Sequence, residues 1–357
     1  MSFDPTYPFQ LKNLPPDTII KNSDFGELLL NARIELAELK GSCGQIPNPL
    51  LLTAPLLLRE SVESSGIENI NTTVANVLEN QLLPEAEQNK PDKEVLQYRE
   101  ALFWGNKNLK ELSLSNRLIL GIHKLLISDN GGFYRREQNH IVNSKTGEIL
   151  YTPPIQADIN RLIGDWENYV NDNKDLDPLI RAAIAHQQFE SIHPFKDGNG
   201  RTGRIMMVLQ LVKDQVLEYP ILFISGYINK NRSEYYKLLR EVTSDNNWHN
   251  YIEFMLQGFY VQAQETKATL KKVTYLHMEL KDEIKTNHSK IYSADLLEAL
   301  FSFAVITPTR LASELKIHYT TASKYLLQLA NAQILQSVKA GRNHFFVNKK
   351  LVSLLSK

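Results

Sequence analysis

The chain is poor in several things, and each shortage excludes something. It holds one cysteine, Cys43, in 357 residues. No disulfide can form within it, and a reducing compartment fits. It has no excess of either charge, with 40 lysines and arginines against 40 aspartates and glutamates. That removes the general basic field that draws proteins to nucleic acid. Long apolar runs are also missing. The most apolar stretch, Leu50 to Leu58, is nine residues and contains Pro55. A bilayer-crossing helix needs about 20. The first residues, Met1 to Pro8, carry neither a positive n-region nor an apolar h-region. There is no low-complexity tract and no repeat of solenoid length. The expectation is a soluble, cytoplasmic protein with no membrane segment. Its 43% apolar content supports a sizeable core, and its length two or three domains.

One short stretch stands out. Residues 193–204 read His-Pro-Phe-Lys-Asp-Gly-Asn-Gly-Arg-Thr-Gly-Arg. His193 is the side chain here that accepts a proton near neutral pH without a special environment. Asp197, a carboxylate beside phosphates, would most simply be an Mg²⁺ ligand. Gly198-Asn199-Gly200 reaches backbone angles closed to most residues, so successive N–H groups can converge as an anion nest. The apolar run after Gly200 reads as a helix, whose N-terminus also favours negative charge. Arg201 and Arg204 are three apart and share a face, with forks suited to phosphate oxygens. Thr202 and Gly203 lie between them in the same run. Base, carboxylate, glycines and arginines stand in one register, which Asp-Gly-Asn-Gly alone, a turn signal, would not provide.

The string resembles the signature of the Fic family, His-x-Phe-x-(Asp/Glu)-Gly-Asn-Gly-Arg-x-x-Arg, at every fixed position. Members typically transfer AMP from ATP to a hydroxyl on a target protein. The resemblance implies that His193 deprotonates that hydroxyl and that Asp197 holds Mg²⁺. It implies that Gly198 to Gly200 cradle the α- and β-phosphates, that Arg201 touches the phosphates, and that Arg204 meets the γ-phosphate. Phe195 would anchor the loop. Residues 182–192 resemble the helix leading into it, with an amphipathic Ala185, Phe189 and Ile192 spacing. His186 there reads as a packed or hydrogen-bonding residue. Gly132-Phe133-Tyr134-Arg135 and Glu148 to Pro154 look like the family's β-hairpin flap, with a turn at residues 144–147. Glu148, Ile149 and Leu150 would dock a target segment by strand addition. Residues 232–236 resemble a helix reaching the nucleotide, where Tyr235 or Tyr236 would contact adenine or ribose. The family suggests a homodimer and modification of the chain's own hydroxyls.

A second motif opposes the first. Ser64, Glu68 and Asn69 match the family's inhibitory pattern (Ser/Thr)-x-x-x-Glu-(Gly/Asn). Ser64 and Glu68 would share a helix face. Glu68 would pair with Arg204, so that bound ATP presents its α-phosphate poorly.

The expected fold is mostly α: a Fic-type helical core with a β-hairpin flap and a C-terminal winged helix-turn-helix. The expected division is 1–110 for an N-terminal inhibitory segment, 111–265 for the catalytic domain, and 266–357 for a linker helix and the winged helix. Residues 1–20 would lie extended, Asp24 to Lys40 form a helix with Leu28, Leu29, Leu30, Ile34 and Leu36 for the core, and Asn80 to Lys93 a loop. In the tail, helices over Tyr292–Phe301, Pro308–Ile317 (capped by Thr307) and Thr320–Leu329 precede strands Ile334–Val338 and His344–Val347. DNA would meet Thr320, Thr321, Ser323 and Lys324, with Arg342 at the wing tip. Two other readings stay open: removal of AMP or transfer of phosphate at the same site, with Glu68 free to activate a water in AMP removal, and a DNA-binding regulator whose Fic body senses nucleotide.

Overall fold

The structure, a computed structural model, describes residues 3–43, 49–81, 89–127, 131–143, 145–172, 175–340 and 343–356. It forms two compact units, Met1–Lys40 with Gln97–Gln264, and Gly41–Leu96 with Glu265–Lys357. This divides the chain differently from the expected 1–110, 111–265 and 266–357. The first forty residues are tied to the rest of the first unit by specific bonds. The Leu14 N–H donates to the Asp165 carboxylate at 2.7 Å, the Asp177 N–H to Asn22 Oδ1 at 2.9 Å, and Lys40 Nζ to the Gln215 carbonyl at 2.6 Å.

The first unit holds α5 (Asn116–Leu126), α6 (Ile159–Asp172), α7 (Pro178–Ile192), α8 (Asn199–Lys213), α9 (Ile224–Lys230) and α10 (Arg232–Asp245). It also holds the hairpin β1 (Ile141–Val142) and β2 (Ile149–Tyr151). The unit boundary falls inside α1 (Gly26–Cys43), α4 (Lys90–Leu112) and the 40-residue α11 (Trp248–Asn287). On α1 the core takes Leu29, Ala32, Leu36 and Leu39, whereas Leu30 and Ile34 are 59% and 47% exposed. The expected core set was therefore too generous, because a helix presents one stripe inward.

Helix α7 is the centre of this unit. Pro178 opens it, and Asp177 caps it by accepting the Leu179 N–H at 2.9 Å. It is buried on nearly every side rather than amphipathic as expected, because α6 packs on one flank and α8 on another. Trp166 Nε1 on α6 donates to the Ala185 carbonyl at 2.8 Å. In α8, Gly203 permits the close crossing: a Cβ there would lie 2.5 Å from Glu190 Oε1 and 3.1 Å from the Phe189 ring.

In the second unit, α2 (Pro49–Ile67) packs against α12 (Ala294–Ser302) and touches α3 (Val74–Asn80) and α15 (Lys349–Leu355). After α12 come β3 (Val305–Ile306), α13 (Pro308–Leu315), α14 (Tyr319–Asn331), β4 (Gln336–Ala340) and β5 (Asn343–Val347). The antiparallel sheet has the order β3-β5-β4. The three helices and the terminal hairpin come in the expected order, and β3, which was not expected, adds a third strand beside β5. Thr307 caps α13 by accepting the Arg310 N–H at 3.1 Å. Leu296, Leu300, Phe301, Leu311, Leu326 and Phe346 form the module's core. Arg342 lies outside the described residues. Helix α4 begins at Lys90, so the expected 80–93 loop is shorter on that side; residues 82–88 lie outside the described ones. Among the described residues no helix is long and apolar enough to cross a membrane.

Candidate active site

The loop between α7 and α8 is held by its backbone. His193 ends α7 in the left-handed conformation, with φ +45°, and its N–H donates to the Phe189 carbonyl at 3.1 Å. From there almost every carbonyl has a fixed donor. Arg135 Nε donates to the His193 carbonyl at 3.0 Å, and the Arg135 N–H to the Pro194 carbonyl at 2.9 Å. Asn199 clasps Phe195 at both ends, its Oδ1 accepting the Phe195 N–H at 2.8 Å and its Nδ2 donating to the Phe195 carbonyl at 2.9 Å. Asn139 Nδ2 adds a second donor to that carbonyl at 3.3 Å. His123 holds the Asp197 carbonyl at 3.0 Å. The Gly198 carbonyl receives both the N–H and the hydroxyl of Thr202, at 2.9 and 2.8 Å.

The His123 tautomer follows from its partners. Its Nδ1 accepts the Gly132 N–H at 2.9 Å, so Nε2 carries the proton and donates to Asp197. Burial is the first cause holding its pKa below the ordinary value, against the pull of Asp197. The ring stacks on fully buried Phe195 with centroids 3.5 Å apart. Phe195 is thus the anchor expected of it.

At the start of α8, Gly198 has φ +76°, a conformation that penalises a Cβ. The first N–H groups of a helix have no carbonyl behind them. Asn199 and Gly200 occupy that end of α8. Asp197, with a 73% exposed side chain, stands beside them, its Oδ1 accepting the Gly198 N–H at 2.6 Å and lying 3.6 Å from Arg201 Nη2. Arg201 and Arg204 are each 1% exposed. Among the described residues no group of three or more His, Cys, Asp or Glu could hold a metal. Asp197 would thus supply one hard oxygen, with phosphate oxygens and water supplying the rest, as Mg²⁺ prefers.

The remaining expected residues fall in different places. Tyr235 is fully buried, and its hydroxyl lies 2.7 Å from His186 Nε2. Burial first, then Glu190, pushes its pKa well above the phenol's ordinary value. This places Tyr235 in the core behind α7. Tyr236 is 39% exposed with the Arg232 guanidinium over its ring, so it is the tyrosine open to a ligand. Burial, then the charge of Arg204, pulls the His186 pKa down to about 3. His186 is a neutral packed residue, as its helical setting suggested. Thr202 and Gly203, counted with the nucleotide run, are buried and serve the Gly198 carbonyl and the α7–α8 crossing. On the flap, Ile141 pairs with Tyr151 and Val142 with Ile149, leaving Leu150 as the irregular residue. Glu148 is exposed, and Ile149 and Leu150 are half-buried. Tyr151 fastens β2 to α7 through its hydroxyl, which donates to the Ser191 carbonyl at 2.9 Å.

The opposing motif belongs to the second unit. Ser64 is fully buried on α2. The helix stops at Ile67, so Glu68 sits in the closing turn rather than on a continued helix face. The Ile70 N–H donates to the Ser65 carbonyl and the Asn69 N–H to the Gly66 carbonyl, both at 3.0 Å, with Asn69 at φ +63°. That is a Schellman ending, whose left-handed residue is usually Gly or Asn.

Sequence reasoning missed His123 and missed the role of Arg135. Both act on backbone carbonyls, which leave no side-chain partner to read. The one available signal was a histidine on the apolar face of α5 and an arginine closing a glycine-led turn.

Comparison with known proteins agrees with this geometry. The Fic/DOC family profile matches residues 113–211, and the profile for the N-terminal part of that family matches residues 27–107. A third, for the C-terminal domain of SoFic-like protein adenylyltransferases, matches residues 276–351. The protein adenylyltransferase Fic of Drosophila grimshawi is 30% identical over 187 residues. That stretch is 50% of this chain but 36% of the relative, so the chain spans well under two thirds of the curated proteins it matches. In fold, the chain is similar to a Fic family protein of Desulfovibrio desulfuricans G20, with a TM-score of 0.55 and 20% identity over 93% of this chain and 98% of that one. It is also similar to a Fic domain containing signaling protein of Bacteroides thetaiotaomicron VPI-5482, with a TM-score of 0.54 and 18% identity over 67% and 96%. Taken with the loop between α7 and α8, these matches place the chain in the Fic/DOC family.

Proposed function

We propose that the chain transfers AMP from ATP to a hydroxyl side chain of a target protein. The observation that carries this is the held loop 193–204, which joins a histidine at the end of α7 to the open N-terminus of α8. The phosphates would lie on the N–H groups of Asn199, Gly200 and Arg201, with Arg201 and Arg204 supplying positive charge. His193 would take the proton of the incoming hydroxyl. Its oxygen would form a bond to the α-phosphorus, the bond to the β-bridging oxygen would break, and pyrophosphate would leave. Mg²⁺ held by Asp197 would neutralise charge on the phosphates. The flap residues Glu148, Ile149 and Leu150 would present the acceptor segment, a target's or the chain's own, as an added strand. Protein adenylyltransferase is the printed name of the relatives above, which supports the reading.

The same reading includes autoinhibition. Glu68 would draw Arg204 away from the γ-phosphate, as the motif of Ser64, Glu68 and Asn69 suggests. A homodimer and a cytoplasmic setting complete it. The test is labelling from α-labelled ATP with Mg²⁺. The expected results are more incorporation in Glu68→Gly than in wild type, and none in His193→Ala, which still binds ATP. Full labelling in His193→Ala would remove the base assignment, and equal labelling in Glu68→Gly and wild type the inhibition.

A second reading, DNA contact through α14, draws on the outward Thr320 and Lys324 and the half-buried Thr321 and Ser323. These line, with His288, an open groove of about 700 Å³ except for Thr321. Lys324 is the sole lysine or arginine on this helix, and phosphate contacts dominate affinity. Duplex binding that does not weaken with salt would end this reading.

A further inference from the structure

Arg135, 5% exposed, reaches two parts of the first unit at once. Its Nε donates to the His193 carbonyl at 3.0 Å and its N–H to the Pro194 carbonyl at 2.9 Å. Its Nη2 donates to the Pro154 carbonyl, and its Nη1 to the Glu137 carbonyl at 3.3 Å. Glu137 lies just before β1 and Pro154 just after β2. Both stems of the flap therefore end on the same guanidinium that holds the base residue's own carbonyl. Gln138 closes the stem beside it, Nε2 donating to the Pro153 carbonyl at 2.9 Å. A guanidinium is a rigid plane with its donors in fixed directions. It cannot follow one partner without leaving the others.

We propose that Arg135 is a positioning residue that couples the flap to the base loop, setting the distance between a segment docked on β2 and the His193 imidazole. This rests on the AMP-transfer reading. His193 holds a left-handed backbone, so a shift of its carbonyl re-aims its side chain directly. Lysine at position 135 would keep the charge and reach one carbonyl, not three.

The experiment uses the full chain in the Glu68→Gly background, with Arg135→Lys and Arg135→Ala beside the parent. Three quantities are read: ATP affinity with Mg²⁺, AMP self-incorporation from α-labelled ATP, and amide exchange on β1, β2 and residues 193–199. In Arg135→Lys, ATP affinity should stay near the parent's. Incorporation should fall on the order of tenfold to a hundredfold, the scale of a small misplacement at a reacting centre. Exchange should rise in the flap and the loop together. Millimolar guanidinium should restore part of the incorporation lost in Arg135→Ala. Parent-like incorporation in Arg135→Lys overturns the proposal, as does faster exchange in the loop alone. Loss of ATP binding in step with incorporation, or of cooperative melting in both variants, also overturns it by making Arg135 a folding residue. A parent that incorporates no AMP, with flap and loop exchange still rising together in Arg135→Lys, would remove the transfer reading and leave the coupling in place.

Discussion

The loop 193–204 and the flap 141–151 sit in one unit and are built in opposite ways. The loop has its carbonyls fixed by Arg135, Asn199, Asn139, His123 and Thr202, and its Phe195 is fully buried. The flap has two strands of two and three residues, an irregular register, and side chains that are mostly exposed or half-buried before Tyr151. A catalytic constellation must hold its geometry closely, whereas a docking edge gains by accommodating varied segments. The difference teaches that this protein concentrates its polar side chains on the backbone of the loop. The flap's own polar side chains, Asn143 and Thr146, serve its turn, and Tyr151 and the Arg135 stem fasten it to the rest of the unit.

Substitutions can break that contrast in a graded way. The largest effect should come from His193→Ala, with AMP incorporation lost and ATP affinity kept. Next, Asn199→Ala strands the buried Phe195 N–H and leaves the Phe195 carbonyl to Asn139 alone, which should cost about 1–3 kcal/mol. Incorporation should fall on the order of a hundredfold, and urea unfolding beside the labelling assay would separate the two.

His186 comes third. Its folded-state pKa, about 3, lies below its ordinary 6.5. As pH falls the unfolded chain takes the proton first, so this group's contribution is fully present above about 6.5 and declines towards 3. The slope is at most about 1.4 kcal/mol per pH unit. His186→Leu should flatten that acid limb in urea titrations, yet cost about 1–3 kcal/mol at neutral pH by stranding the Tyr235 hydroxyl. Adding Tyr235→Phe should recover most of that cost.

The smallest effect on stability should come from the flap. Leu150→Asp should change unfolding by no more than about 0.5 kcal/mol, as at most surface sites. ATP affinity should hold while incorporation into protein falls. A large loss of stability there would erase the contrast.

What the sequence made legible follows the same division. The base, the carboxylate, the glycine turn and the arginines are contiguous, so their chemistry could be read from twelve residues. Helix α13 announced itself through Thr307-Pro308, a local signal with a local cause. The braces His123 and Arg135 were not legible as such, because a bond to a carbonyl imposes no residue type on its partner. Tyr235 and Tyr236 could not be told apart, since burial is decided by packing behind α7 rather than by neighbours in sequence. The grouping of residues 1–40 with residues 97–264 also depends on distant contacts, such as Lys40 to Gln215, that no local pattern carries. The 40-residue α11 was foreseen only as a linker, since its apolar positions serve both units and blur a single stripe.

The central claim is that the loop 193–204 transfers AMP and that Glu68 restrains it. Intact-mass spectrometry of the Glu68→Gly chain, incubated with ATP and Mg²⁺ beside wild type, tests it most directly. The account predicts a gain of one or more AMP masses in the variant, smaller or absent in wild type, and none when His193→Ala is added. A gain of a phosphate mass, or an unchanged mass in the Glu68→Gly chain, would contradict it.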